Sequence, residues 1–202
     1  MTEALLAFWF GPLDAAGLCT KSRRRTLFRA DPAFDAALAE RFGADVEAAL
    51  AGDRNNWAHN PRGRAALVLL LDQLPRNLFR GTPRAFAGDA RALAHARAAV
   101  EAGDDRALPT EMRAFLYMPF EHAEDPDAQR EGVALLTALH DEQLEDSPAR
   151  AAVASYLRHA QNHAALVTRF GRFPHRNAVL GRASTPEERT HLAADGRTFG
   201  QA

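Results

Sequence analysis

Three stretches of the chain carry chemically capable side chains at spacings that a plain helical scaffold does not need. The first is Leu71-Asp72-Gln73-Leu74-Pro75-Arg76-Asn77-Leu78-Phe79-Arg80, with Asp72, Arg76 and Arg80 at four-residue intervals. On a helix these three share one side, opposite a face of Leu67, Leu70, Leu71, Leu74 and Leu78. Asp72 and Arg76 at that spacing make at least an ordinary surface pair, worth about 0.3–0.5 kcal/mol. Pro75 points further. In an uninterrupted helix it removes one hydrogen bond and clashes with the carbonyl of Leu71, at a cost of roughly 3 kcal/mol. A kink there frees that carbonyl and redirects the arginines. Arginine suits two-pronged recognition of carboxylate or phosphate.

The second stretch, Phe115-Leu116-Tyr117-Met118-Pro119-Phe120-Glu121-His122-Ala123-Glu124-Asp125, holds another proline inside a helical pattern. Glu121 and Glu124 either end an exposed acidic helix or bind a metal together with His122. Acids at a helix C-terminus oppose its dipole, which favours a functional reading. Beside Glu121, a histidine is also placed to shuttle a proton.

The third stretch is a long helical pattern. Val153, Leu157, Ala160, Ala164 and Val167 form one apolar stripe, and Tyr156, His159, His163, Leu166 and Phe170 form another beside it. His159 and His163 are therefore expected to be buried, where imidazole needs partners for both nitrogens or its pKa falls. A hydrogen-bonding pair, a ligand contact and a shared metal are the three readings. His-x-x-x-His alone supplies no complete ligand set. Arg169-Phe170-Gly171-Arg172-Phe173-Pro174-His175-Arg176-Asn177 follows, basic, aromatic and free of acids. His175, Arg176 and Asn177 would open a short helix whose free N–H groups favour an anion. Alternatively, these arginines lock the C-terminal helix through carbonyls and acidic residues.

The expected site combines these stretches. Glu121, His122 and His159 would do acid–base work. Asp72, Arg76, Asn77, Arg80, His163, Arg172, His175, Arg176 and Asn177 would hold a small anionic ligand. Two other functions compete: a peptide-binding groove without catalysis, and a metal site of His159, His163, Glu121 and His122. No metal and no cofactor is expected.

The same blocks, with Phe8-Trp9-Phe10-Gly11 at the start and Phe86 with Asp89 between, resemble a bacterial family known as domain of unknown function 924. They span nearly the whole chain in one order. Leu74 and Met118 depart conservatively from the phenylalanine and leucine expected there. The resemblance implies a tetratricopeptide-like fold of helical hairpins and no established reaction.

The elements that must position these residues read as helices throughout. Asp31-Pro32 opens one over about 33–50, ending at Gly52. Pro61 opens the next, Thr82-Pro83 another to Gly103, Pro109-Thr110 one over about 110–123, and Pro126 one to about Glu142. Ser147-Pro148 opens the longest, to Gly171, and Thr185-Pro186-Glu187-Glu188 a short terminal one. No stretch alternates with period two. The expected architecture is all-α, a right-handed helical-hairpin solenoid forming a single domain over 1–202.

Composition bounds the rest. Of 202 residues 47% are hydrophobic and 25% charged, which is globular rather than disordered. The net charge of −1 argues against a nucleic-acid binder held by bulk charge. It hides segregation. Glu101 to Asp146 holds 13 acids against three arginines, whereas Ser147 to Pro186 has no acid at all. No apolar run reaches membrane length, and the N-terminus lacks a secretory signal, so a cytoplasmic location is expected. A protein partner stays open. The single cysteine, Cys19, excludes an internal disulfide; it lies in a polar stretch and is expected to be dispensable.

Overall fold

A computed structural model describes residues 1–195; residues 196–202 of the expected single domain lie outside the described residues. In chain order the helices are α1 (Thr2–Phe10), α2 (Lys21–Leu27), α3 (Pro32–Ala51), α4 (Pro61–Leu71), α5 (Gln73–Leu78), α6 (Asp89–Ala102), α7 (Thr110–His122), α8 (Pro126–Asp141), α9 (Pro148–Phe170) and α10 (Pro186–Asp195). Among the described residues there is no strand. No helix there is long and apolar enough to cross a membrane.

Local chemistry explains most boundaries. Asp31, Asn60, Asp125 and Ser147 each accept a backbone N–H of the following turn, and each precedes a proline at the first helical position. Thr185 and Glu188 form a reciprocal capping box before the second turn of α10: the Glu188 N–H donates to Thr185 Oγ1 (3.2 Å), and the Thr185 N–H donates to Glu188 Oε2 (2.7 Å). Gly52, Gly103 and Gly171 end their helices in the left-handed conformation. Thr82-Pro83 opens only a 3-10 turn, Pro83–Phe86, and α6 starts afresh at Asp89. The pattern also missed α1 and α2. Cys19, expected in a polar stretch, is buried because its loop packs on Glu111, which accepts its N–H at 3.2 Å.

Two helices form the middle of the molecule. In α4 every residue from Ala65 to Leu71 is buried, and in α7 every residue from Glu111 to Glu121. Helices apolar on most sides are sheathed by others. α4 packs on α1, α3, α6 and α7, and α7 in turn on α6, α8 and α9. One hydrophobic cluster runs from Leu5 in α1 to Ala160 in α9.

α7 and α9 run parallel, with α8 returning between them. Phe115 meets Tyr156 with ring centroids 6.1 Å apart, and His122 meets His163 at 6.2 Å. On both helices the two contacts are two turns apart. Gly132 of α8 permits a close approach, since a Cβ there would lie 2.7 Å from Phe120 Cβ.

Candidate functional site

Proline decides where the site forms. Pro75 has no N–H to offer the Leu71 carbonyl, so α4 stops at Leu71, and Pro75 falls in the first turn of α5, where it is tolerated. The break falls on Asp72, which is fully buried. Pro119 likewise sits in the last turns of α7, which ends at His122. Gln129 of α8 donates its amide to the carbonyls of Glu121 and Ala123, both at 2.7 Å, and so holds that end.

Asp72 and His122 meet where the two breaks face each other, with Oδ1 2.7 Å from Nδ1. Burial works against the Asp72 carboxylate, but Arg76, His122 and the Gln73 amide more than offset it and hold its pKa below the usual value. An ionised carboxylate only accepts, so the proton of His122 lies on Nδ1 and its Nε2 carries the lone pair. Burial and the nearby Arg76 lower the His122 pKa, which keeps the ring neutral.

Glu121 Oε1 stands 3.9 Å from His122 Nε2 and 3.6 Å from His163 Nδ1. Burial, reinforced by the charge of Asp72, pushes Glu121 up to about 8, so it is a neutral acid at pH 7. His163 Nδ1 donates to the carbonyl of His159 at 3.0 Å. Burial and His122 push its pKa down to about 3. His175 falls to about 3 through burial and Arg176.

Arg76 and Arg176 converge from elements distant in sequence. Arg76 grips both oxygens of Asp89, at 2.8 and 2.9 Å, and touches Asp72 Oδ1 at 3.1 Å. Arg176 reaches Asp89 Oδ2 at 3.1 Å and lies between the rings of Phe86 (4.5 Å) and Phe173 (4.6 Å). Its Nε is buried without a partner. Burial and Arg76 lower the Arg176 pKa to about 10.

These groups border a cavity of about 340 Å³, at the lower end of small-molecule sites. Of the expected residues, Arg76, Asn77, Arg80, Glu121, His122, His159, His163, His175 and Arg176 line it. Asp72 stands behind His122. Asn77 and Arg80 both donate to Asp35 at the start of α3, at 2.7 and 2.9 Å.

Arg172 and Asn177 are not brought to the cavity. Arg172 clamps Glu188 at 2.7 and 2.9 Å, and Asn177 donates to Ser184 and Glu188. Arg169 pairs with Glu187, and Arg182 with Glu124. The arginines of this stretch thus divide: Arg176 faces the cavity and the others lock the C-terminal segment. The short helix expected at His175 is only a three-residue 3-10 turn, Pro174–Arg176, and offers no helix N-terminus to an anion.

Two further expectations change. His159 is exposed because it lies on the rim of the α9 face, where the second stripe leaves the core. Glu124 joins neither Glu121 nor a metal set; it accepts the Phe173 N–H at 2.8 Å and both Arg182 amino groups. Among the described residues no three His, Cys, Asp or Glu side chains are disposed to hold a metal ion.

The sequence reading missed Arg24, Phe28, Arg29, Ser155 and Tyr156, which also line the cavity. Arg24 is fixed by a two-pronged pair with buried Glu111, at 3.0 and 2.8 Å, and the Tyr156 hydroxyl donates to the same carboxylate. That partnership spans 87 residues and leaves no local signal.

The chain shares its fold with a solved protein of unknown function from Agrobacterium tumefaciens: 37% identity, a TM-score of 0.80, and coverage of 96% of this chain and 97% of that one. No protein with a curated description matches. A family profile described as bacterial protein of unknown function (DUF924) matches residues 5–196, and the chain therefore belongs to that family.

Proposed function

We propose that the protein binds a small organic anion, bearing carboxylate or phosphate, in this cavity and exchanges a proton with it through His122. One observation carries the reading: among the described residues the cavity is lined by Arg24, Arg29, Arg76, Arg80 and Arg176 and by one carboxyl group, Glu121, which burial keeps neutral. Asp35, Asp72, Asp89 and Glu111 stand behind the guanidiniums they pair with. The surface offered to a ligand is therefore cationic although the pairs behind it are nearly balanced. Such a lining favours an anion over a neutral or cationic guest.

The chemistry follows from the two protonation states. His122 presents an unprotonated Nε2, oriented by Asp72 as a general base. Glu121 beside it holds a proton to give. A carboxyl kept neutral and an imidazole kept unprotonated make a base and an acid side by side, suited to moving a proton within one bound molecule. His159 at the rim and His163 beneath complete the imidazole wall. The parallel α7 and α9 with α8 between them support a scaffold of stacked hairpins of the tetratricopeptide kind.

The test is thermal unfolding in phosphate or succinate against chloride at equal ionic strength. Either anion raises the wild-type melting temperature above the chloride control. Arg176→Gln removes that rise, while Arg172→Gln, whose partner Glu188 is outside the cavity, retains it. Equal responses of the wild type to all three salts overturn the reading.

A further inference from the structure

The cavity is longer than one anionic group requires. Its walls include both ends of the two-turn stretch along which α7 and α9 run together: Tyr156 at one end, His122 and His163 at the other. Tyr156 and His163 are seven residues apart, as are Phe115 and His122, which is about 10 Å of helix axis. Two helices therefore measure the same length independently.

Two guanidiniums on the cavity have spare capacity. At the histidine end one is Arg176, whose Nε has no partner and whose plane is fixed between two rings. Toward the tyrosine end Phe28 packs on Tyr156, and its chain neighbour Arg29 also borders the cavity. Among the described residues Arg29 forms no ion pair and no side-chain hydrogen bond, and it is exposed on the cavity rim. Its neighbour Phe28 leans on Tyr156 at 5.8 Å and on Phe115 at 5.7 Å, yet is 51% exposed. An uncovered aromatic ring beside an uncommitted cation, both facing a cavity, is an open half of a binding site. Met118 supplies apolar wall in the same cavity.

We infer that the ligand is an elongated dianion, with one acidic group at Arg176 and Arg76 beside His122, a second about 10 Å away at Arg29, and an apolar segment crossing Met118 and Phe28. This rests on the anion-binding reading and adds to it the ligand's length, its second charge and the residue that recognises it. The group beside His122 is the one whose neighbouring proton is moved. The distal group sets specificity.

The test is isothermal titration with α,ω-dicarboxylates from succinate to dodecanedioate, each against the monocarboxylate of the same carbon number, at fixed pH and ionic strength. Affinity passes through a maximum between pimelate and sebacate, where the dicarboxylate binds about tenfold tighter than its monocarboxylate, the yield of one charge-assisted pair. Arg29→Gln, a substitution at an exposed position, abolishes that tenfold difference by weakening the dicarboxylates about tenfold more than the monocarboxylates. If dicarboxylates bind no tighter than monocarboxylates, or if Arg29→Gln preserves the preference, the dianion inference fails while anion binding stands. If neither series binds, the anion-binding reading fails and the inference falls with it.

Discussion

In the cavity the proton sits on the acid rather than on the imidazole. Glu121 is pushed up to about 8 by burial and by Asp72, while burial and Arg76 lower His122. Stability must therefore depend on pH in two directions. A carboxyl whose folded pKa is raised binds more protons folded than unfolded between its ordinary value and about 8, so it makes stability fall as pH rises through that window. His163 and His175, lowered to about 3, and His122 do the opposite: they are neutral when folded and charged when unfolded, so below 6.5 they make stability rise with pH. Unfolded histidines are still half charged at pH 6.5, so the carboxyl acts alone only above about pH 7.5. The expected outcome is a stability maximum near pH 7, followed by a loss of about 0.5–1 kcal/mol by pH 9. Glu121→Gln, which copies the neutral acid, removes the fall above pH 7 in urea titrations and steepens the rise below it, where the carboxyl no longer opposes the histidines. A wild-type curve that shows no fall above pH 7, matching that of Glu121→Gln, would show that Glu121 is ionised when folded. Cys19 takes no part, since burial and Glu111 push its thiol up to about 12.

At the scale of elements, the site depends on two helix breaks and on how closely a third helix approaches one of them. Gly88, just before α6, lies so near the end of α4 that a Cβ there would sit 2.1 Å from the Leu71 carbonyl oxygen. That approach sets Asp89 against Arg76. Gly88→Ala must push backbone against backbone, and is expected to cost about 1–3 kcal/mol and to weaken anion binding as Asp89 withdraws. Gly43, inside α3, has nothing within 4 Å of the same point. Gly43→Ala should therefore stabilise by about 0.5–1 kcal/mol through helix propensity. Urea midpoints that move the same way for both would contradict the packing argument. The same elements show how far the sequence could be read. Asp31-Pro32, Pro61, Pro109-Thr110, Asp125-Pro126, Ser147-Pro148 and Thr185-Pro186 all mark true helix starts, because caps and first-turn prolines act locally. Pro75 likewise marked the break after Leu71, although the sequence pointed to the Leu71 carbonyl and the arginines there rather than to Asp72. α2 was hidden because Leu27 is its one buried residue and no apolar period forms. Arg29 and Phe28 were hidden with it. The division of arginines between cavity and lock was illegible too, since Asp89, Glu111 and Glu124 reach their partners across tens of residues and no local pattern records that.

Over the whole molecule the site is assembled from parts that are held in different ways. Asp72, at the break between α4 and α5, and Glu121 and His122 of α7 lie beside the core cluster. Arg176, His175 and Phe173 belong to a segment with one 3-10 turn and no long helix of its own. That segment is tied down by few groups. Glu124, at the α7–α8 turn, accepts the Phe173 N–H at 2.8 Å and two amino groups of Arg182 at 2.5 and 2.8 Å. Arg182 passes the restraint on, donating to Asn177 Oδ1 at 3.1 Å and to the Phe173 carbonyl at 3.2 Å. The Arg182 pair and the Phe173 N–H, bound to one half-buried carboxylate, fix where Arg176 points. Glu124→Gln keeps the shape but gives up the charge, and the amide offers one acceptor oxygen where the carboxylate offers two. Its expected cost is about 1–3 kcal/mol, felt in this segment rather than in the core. Hydrogen exchange is the discriminating measurement. Amides from 171 to 182 should lose protection in Glu124→Gln while those of α4 and α7 keep theirs, and the phosphate-induced rise in melting temperature should shrink with them. Unchanged protection in 171–182 would mean that Arg176 is positioned by its stack between Phe86 and Phe173 alone. Protection lost evenly across the chain would mean that the lock belongs to the global fold, with no separately yielding segment at the cavity.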